Sequence, residues 1–126
     1  MTQPPKPTDA ELEILTVLWS IGPATVRDVY DVIQRRRQAQ YSTILKFMQI
    51  MAEKGLVKRN ETARTHVYSA VAGEEQTQQQ LVKDLVDRAF GGSAAQLVLR
   101  ALSAEGATDA EVREIRKLID DYREKR

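Results

Sequence analysis

The sequence predicts a mainly α protein with a small β-hairpin, and three observations carry that prediction. Apolar residues three and four apart recur behind hydroxyl caps from Thr8 to Tyr122. Gly22-Pro23, Gly55, Gly91-Gly92 and Gly106 punctuate that pattern and end its helices. Between Leu56 and Val71 the helical period gives way to Val, Thr and Tyr in rough alternation around Asn60-Glu61-Thr62-Ala63, a polar turn. The resulting order is helix, helix, helix, strand, strand, followed by three more helices. This is the order of a winged helix-turn-helix plus a C-terminal helical dimerisation lobe.

The first helix starts at a capping box of Thr8 and Glu11, with Asp9 adding negative charge at the positive end of the helix dipole. Its apolar stripe is Leu12, Leu15, Leu18 and Trp19, and Gly22-Pro23 ends it. Ala24-Thr25 reads as a two-residue strand or as a cap. A second helix follows from Val26 to about Arg36, with Val26, Val29, Tyr30 and Ile33 as its buried side. Ser42 or Thr43 is the expected cap of the third helix, and Gly55 its left-handed end. The expected strands are Leu56 to Arg59 and Arg64 to Val71.

Beyond Gly73 the periodicity is helical throughout. Leu81, Val82, Leu85, Val86 and Ala89 mark one face before Gly91-Gly92. Ser93 then caps a short helix carrying Leu97, Val98, Ala101 and Leu102. Thr108 and Glu111 form another capping box ahead of Val112, Ile115, Leu118, Ile119 and Tyr122. The only low-complexity stretch is the short patch Gln76 to Gln80. The expected domains are a flexible tail over 1–7, a winged-helix DNA-binding domain over 8–73 and a helical dimerisation domain over 74–126.

Composition bounds the possibilities. A chain of 126 residues with 42 % apolar content suits one domain or two small lobes, and that content is enough for a folded core, which argues against wholesale disorder. No apolar run exceeds three residues, far from the roughly 20 of a membrane-spanning helix. Residues 1–7 have no apolar segment of the kind a signal peptide needs. With no cysteine, disulfides and thiolate metal sites are excluded, which fits a reducing, cytoplasmic setting. Net charge is only +1, but its distribution is uneven. From Arg27 to His66 nine Lys/Arg stand against four Asp/Glu, a balance of +5. From Gly73 to Arg126 nine stand against eleven, a balance of −2. A basic middle and a mildly acidic end point to a nucleic-acid lobe joined to something else.

The third helix is the most informative element. At about 100° per residue, Ile44, Leu45, Met48, Met51 and Ala52 share one face and form core. Ser42, Thr43, Lys46, Gln49, Ile50 and Glu53 share the other, where a recognition helix meets the major groove. Ser42 and Thr43 suit phosphate or base, Lys46 suits guanine or phosphate, and Gln49 suits adenine. Ile50 fits either a thymine methyl or a sideways lean into the core, and Phe47 belongs to the core boundary. Arg64 is the expected wing contact. Thr25, Arg27, Lys58 and Arg59 are weaker phosphate candidates. Arg35-Arg36-Arg37 reads as dipole complement and solvated charge as readily as backbone contact. Trp19 and Tyr68 read as packed side chains.

The C-terminal 53 residues are marginal for an independent core. A second copy is the plainest remedy, with Leu81, Leu85, Phe90, Leu97, Leu102, Leu118 and Tyr122 in a two-fold interface. The other reading packs these helices back on the winged lobe of the same chain. Enzyme chemistry has little support: His66 has no partner at a catalytic or metal-ligand spacing, and no Gly-rich phosphate loop is present. No cofactor and no metal are expected.

On these residues the chain resembles the penicillinase-repressor family, winged-helix transcriptional repressors of the BlaI/MecI/CopY type. The carriers are Glu11 to Trp19, Gly22 to Val26, Tyr41 to Leu45, Glu53 to Val57 with Arg59, Arg64 to Tyr68, and Phe90 to Ser93. The resemblance implies a homodimer that binds a dyad-symmetric, double-stranded DNA operator and blocks transcription. It implies relief by a regulatory protease or by a metal ligand. This chain has Lys46 where the family often has Thr, and Ile50 where Arg is common, so the fold carries over and the operator sequence does not. Arg100-Ala101 stands where protease-inactivated members have Asn-Phe, which leaves the cleavage site open. The copper-responsive branch uses a cysteine-rich tail and is excluded. A competing reading is a winged module that docks on protein and never touches DNA.

Overall fold

The computed structural model describes residues 5–62 and 64–125, with Glu105 by its backbone alone. Residues 1–4 of the expected tail and Ala63 of the expected turn lie outside the described residues. Of the rest of that tail, Pro7 is already buried. Among the described residues six helices and one hairpin follow in the predicted order: α1 (Asp9–Ile21), α2 (Val26–Gln34), α3 (Tyr41–Lys54), β1 (Val57–Asn60), β2 (Val67–Ala70), α4 (Glu74–Ala89), α5 (Ala94–Glu105) and α6 (Asp109–Lys125). The fold is mainly α with a two-stranded antiparallel hairpin, as the sequence predicts. The chain divides into two compact units at Val82/Lys83, within α4.

In the first unit, α1, α2 and α3 enclose one apolar core. Ile14, Val17, Val29, Ile33, Ile44, Met48 and Met51 are fully buried, and the hairpin closes over them with Val57 and Tyr68. Each such side chain contributes about 1.5–3 kcal/mol of burial. The register pairs Val57 with Ala70 and Arg59 with Tyr68. Ala24 forms a bridge to Tyr68 with bonds of 2.9 and 2.8 Å, while Thr25 caps α2 in a box with Asp28. The dipeptide Ala24-Thr25 is therefore an isolated one-residue bridge followed by a cap, not a two-residue strand.

Several boundaries differ from the sequence reading. The buried face of α1 is Glu11, Ile14, Leu15, Val17 and Leu18, whereas Leu12 and Trp19 are half-buried. Trp19 still packs against the core and its indole N–H donates to the Ala72 carbonyl at 3.1 Å. Helix α2 stops at Gln34 rather than Arg36, because three consecutive arginines bring no apolar contact to hold another turn. Strand β1 begins one residue late, at Val57, and β2 begins at Val67 rather than Arg64. Residues Arg64 to His66 belong to the turn, where their polar side chains stay in solvent.

Helix α3 is not capped by Ser42 or Thr43. Gln40 occupies the cap position with no side-chain bond, and its carbonyl accepts the Thr43 and Ile44 amides at 3.2 Å. At its other end Gly55 is left-handed (φ 86°), and the Leu56 amide closes on the Met51 carbonyl at 2.9 Å.

In α4–α6 apolar burial is sparse. Thr77 is the buried residue of α4, and α6 has none. Val82, Leu85, Val98, Leu99, Val112, Leu118, Ile119 and Tyr122 are exposed in the single chain. Ser93 caps α5 and Thr108 with Glu111 starts α6, as their spacing predicts.

Candidate nucleic-acid interface

Two ion pairs set how α3 is held. The Glu11 carboxylate, buried at the start of α1, accepts from Lys54 Nζ at 2.8 Å at the end of α3. Burial pushes this carboxyl up, but Lys54 and the Thr8 amide more than offset it, so it stays below its ordinary value of 4.5. Ahead of α3, the Arg37 guanidinium donates to Glu13 with contacts of 2.7 and 3.1 Å. That bond, opposed by burial and aided by the fields of Arg37 and Arg36, lowers the Glu13 carboxyl as well. Arg37 is thus a tether between α1 and the approach to α3, while Arg35 and Arg36 remain exposed.

With its inner face in the core, α3 turns Ser42, Thr43, Lys46, Gln49 and Glu53 outward, all exposed. The cap assignment matters here. Because Gln40 holds the cap position, the Ser42 and Thr43 hydroxyls stand on the first turn without a capping role. No acidic residue occupies that turn, in contrast to α1, α2, α4 and α6. The positive end of the α3 dipole is accordingly not neutralised by a local carboxylate and suits a phosphate.

Two depressions flank the outward ridge. One, of about 360 Å³, is lined by Ser42, Thr43, Lys46, Phe47 and Ile50. The other, of about 230 Å³, lies between α3 and the hairpin; Gln49, Arg27, Arg59, Arg64 and His66 are among its lining residues. Recognition-helix and wing candidates far apart in sequence are therefore brought to one groove.

The weaker candidates differ in how free they are. Arg27 pairs with Asp31 at 3.3 Å and lies 5.8 Å over the Tyr30 ring. Arg59 is half-buried and donates to Glu61 at 2.9 Å. Lys58 is exposed on the opposite pleat of β1. The Thr25 hydroxyl accepts the Asp28 amide, which leaves its hydrogen able to donate. Sequence reasoning missed Tyr41, Thr65 and His66 as groove residues. Tyr41 is placed by an edge-to-face contact with Tyr30 (ring centroids 5.6 Å apart) across the α2–α3 turn, a contact without any local sequence signature. No group of three or more metal-ligating side chains occurs among the described residues.

Three helices, a hairpin wing, and an outward polar helix face beside basic wing residues define a winged helix-turn-helix nucleic-acid-binding protein. A family model described as penicillinase repressor matches residues 7–121. The chain belongs to that family, whose members are DNA-binding regulators and not enzymes. It is 30 % identical over 105 residues to the transcriptional regulator BlaI of Mycobacterium tuberculosis, covering 82 % of this chain and 76 % of that protein. It is 22 % identical to the penicillinase repressor of Staphylococcus aureus, covering 92 % of each. Among solved structures, the DNA-binding domain of the repressor BlaI superposes with a TM-score of 0.52 at 24 % identity. That match covers 60 % of this chain and 93 % of that one.

Proposed function

We propose that this chain represses transcription as a homodimer bound to a dyad-symmetric DNA operator. Residues 8–73 form the DNA-binding lobe and 74–126 the dimerisation lobe. The observation that carries the reading is the outward face of α3, where Ser42, Thr43 and Lys46 adjoin a helix start without carboxylates. Gln49 adds amide chemistry for base edges, and Arg64 extends the basic surface through the wing. Thr25, Arg27, Lys58 and Arg59 add backbone contacts that set register and carry no sequence information.

The dimer is supported by what α4–α6 leave uncovered. Leu85, Leu118 and Tyr122 are 48, 59 and 65 % exposed in the single chain, whereas the apolar residues of α1–α3 are largely buried. Amphipathic helices that expose such stripes require a partner surface. Two copies bring two α3 helices to half-sites spaced by one or more helical turns, multiples of roughly 34–36 Å. A cytoplasmic setting follows from DNA as partner, and no described helix is long and apolar enough to cross a membrane. The bond Arg100–Ala101 lies inside α5, so a regulatory protease would have to unfold that helix to cut there.

Binding-site selection from random duplexes with the purified protein tests the reading. The expected product is an inverted repeat bound with affinity that falls steeply between about 50 and 200 mM salt. An absence of enrichment, or binding indifferent to salt, would instead favour a winged module that docks on protein.

A further inference from the structure

Ile50 is the one large apolar residue on the polar ridge of α3, and its surroundings give it a role. It is half-buried, whereas Ser42, Thr43, Lys46, Gln49 and Glu53 on the same ridge are exposed. It lines the 360 Å³ depression together with Phe47, Lys46, Thr43 and Ser42. Phe47 also packs against the core, and Lys46 lies one helical turn before Ile50. An apolar recess with a cation and two hydroxyls at its edge has the chemistry of a major-groove site that accepts a methyl group among polar base edges.

We propose that the Ile50–Phe47 recess reads the C5 methyl of a thymine in each operator half-site. This deepens the DNA-binding reading above and rests on it. In the major groove, thymine differs from the other bases by that methyl, which seeks apolar contact. A residue four positions along a helix is displaced by about 6 Å, close to two base-pair steps of 3.4 Å. The thymine therefore lies within about two steps of the base that Lys46 contacts. Because neither Ile50 nor Phe47 can donate a hydrogen bond from its side chain, specificity here depends on shape and desolvation alone.

The test uses the full-length protein and the duplex recovered by selection. Each thymine of a half-site is replaced in turn by deoxyuridine, which removes the methyl and keeps base pairing. At one position wild-type affinity should fall about fourfold, the equivalent of one buried methylene. 5-Bromodeoxyuridine, whose halogen is methyl-sized, should restore it. Ile50→Ala should bind more weakly and be indifferent to uridine at that position, while Ile50→Val should keep part of the response. Circular dichroism confirms that each variant folds. If no thymine responds, or if wild type and Ile50→Ala lose equally at every position, the recess does not read a methyl and DNA binding itself stands. If the protein binds no duplex at all, the DNA-binding reading falls and this inference falls with it.

Discussion

The two halves of this chain carry similar apolar stripes and dispose of them differently. In α1–α3 the stripe residues Leu15, Val29, Ile33, Ile44 and Met48 are buried within the one chain. In α5 and α6 the stripe residues Val98, Val112, Leu118 and Ile119 remain exposed. Helical periodicity reports which face is apolar, but not whose surface will cover it. The first region is a self-contained platform that fixes where α3 points. In the proposed dimer the second region completes its core only with another copy. That arrangement would make symmetry, and with it tight operator binding, depend on protein concentration.

The comparison is broken most severely by putting a charge on the uncovered stripe. Leu118→Asp should leave the winged lobe folded but yield monomers. Operator affinity should then drop by about 10²–10⁴-fold, the avidity lost when two half-sites are no longer held together. Sedimentation and a binding titration on the same sample check both parts. Unaltered association would show that Leu118 lies outside any interface.

A cut into the covered stripe should behave differently. Ile33→Ala removes a fully buried side chain and should cost about 2–5 kcal/mol, visible in urea unfolding followed by Trp19 fluorescence. Its effect on that lobe should not vary with protein concentration, whereas the loss from Ile119→Ala should. Equal concentration dependence in both variants would erase the distinction between the halves.

Acid provides a finer probe of the platform. Glu11 has a lowered folded value, so its stabilising contribution is complete above the ordinary 4.5 and fades as pH falls through that lower value. Glu11→Gln should cost about 1–2 kcal/mol at pH 7, moderated because Lys54 is open to solvent. The gap to wild type should close under acid in paired denaturation curves. A gap that persists at pH 2 would assign the loss to packing rather than to the ion pair.

Effects on the reading surface should be smaller and more selective. Lys46→Ala should reduce discrimination at one base pair, by about 1–3 kcal/mol if the contact is bidentate to guanine. Arg64→Ala should weaken all duplexes alike and reduce the salt slope by about one. Competition assays across salt concentrations separate the two behaviours. If neither substitution changes affinity, the assigned surface is wrong.

Much of this organisation was legible because the local signals agree with the fold. The boxes at Thr8–Glu11 and Thr108–Glu111, the stops at Gly22 and Gly55, and the inner face Ile44-Met48-Met51 all fall where their chemistry places them. The misreadings have physical causes. A hydroxyl near a helix start looks like a cap, yet Ser42 and Thr43 already lie in the first turn, because the Gln40 carbonyl begins the ladder. The alternation from Arg64 to His66 looks like strand, but the observed ladder joins only Val57–Asn60 with Val67–Ala70. The Glu11–Lys54 pair spans 43 residues and the Tyr30–Tyr41 contact joins two helices, so neither leaves a periodic trace. Groove formation between Gln49 and Arg64 is likewise a product of the tertiary fold.

The most direct test is the mass of the complex formed on a selected duplex, measured by sedimentation equilibrium with full-length protein. Two chains on a duplex carrying both half-sites, and weak single-chain binding on a duplex carrying one, is the predicted outcome. A single chain saturating the complete site with full affinity would contradict the account.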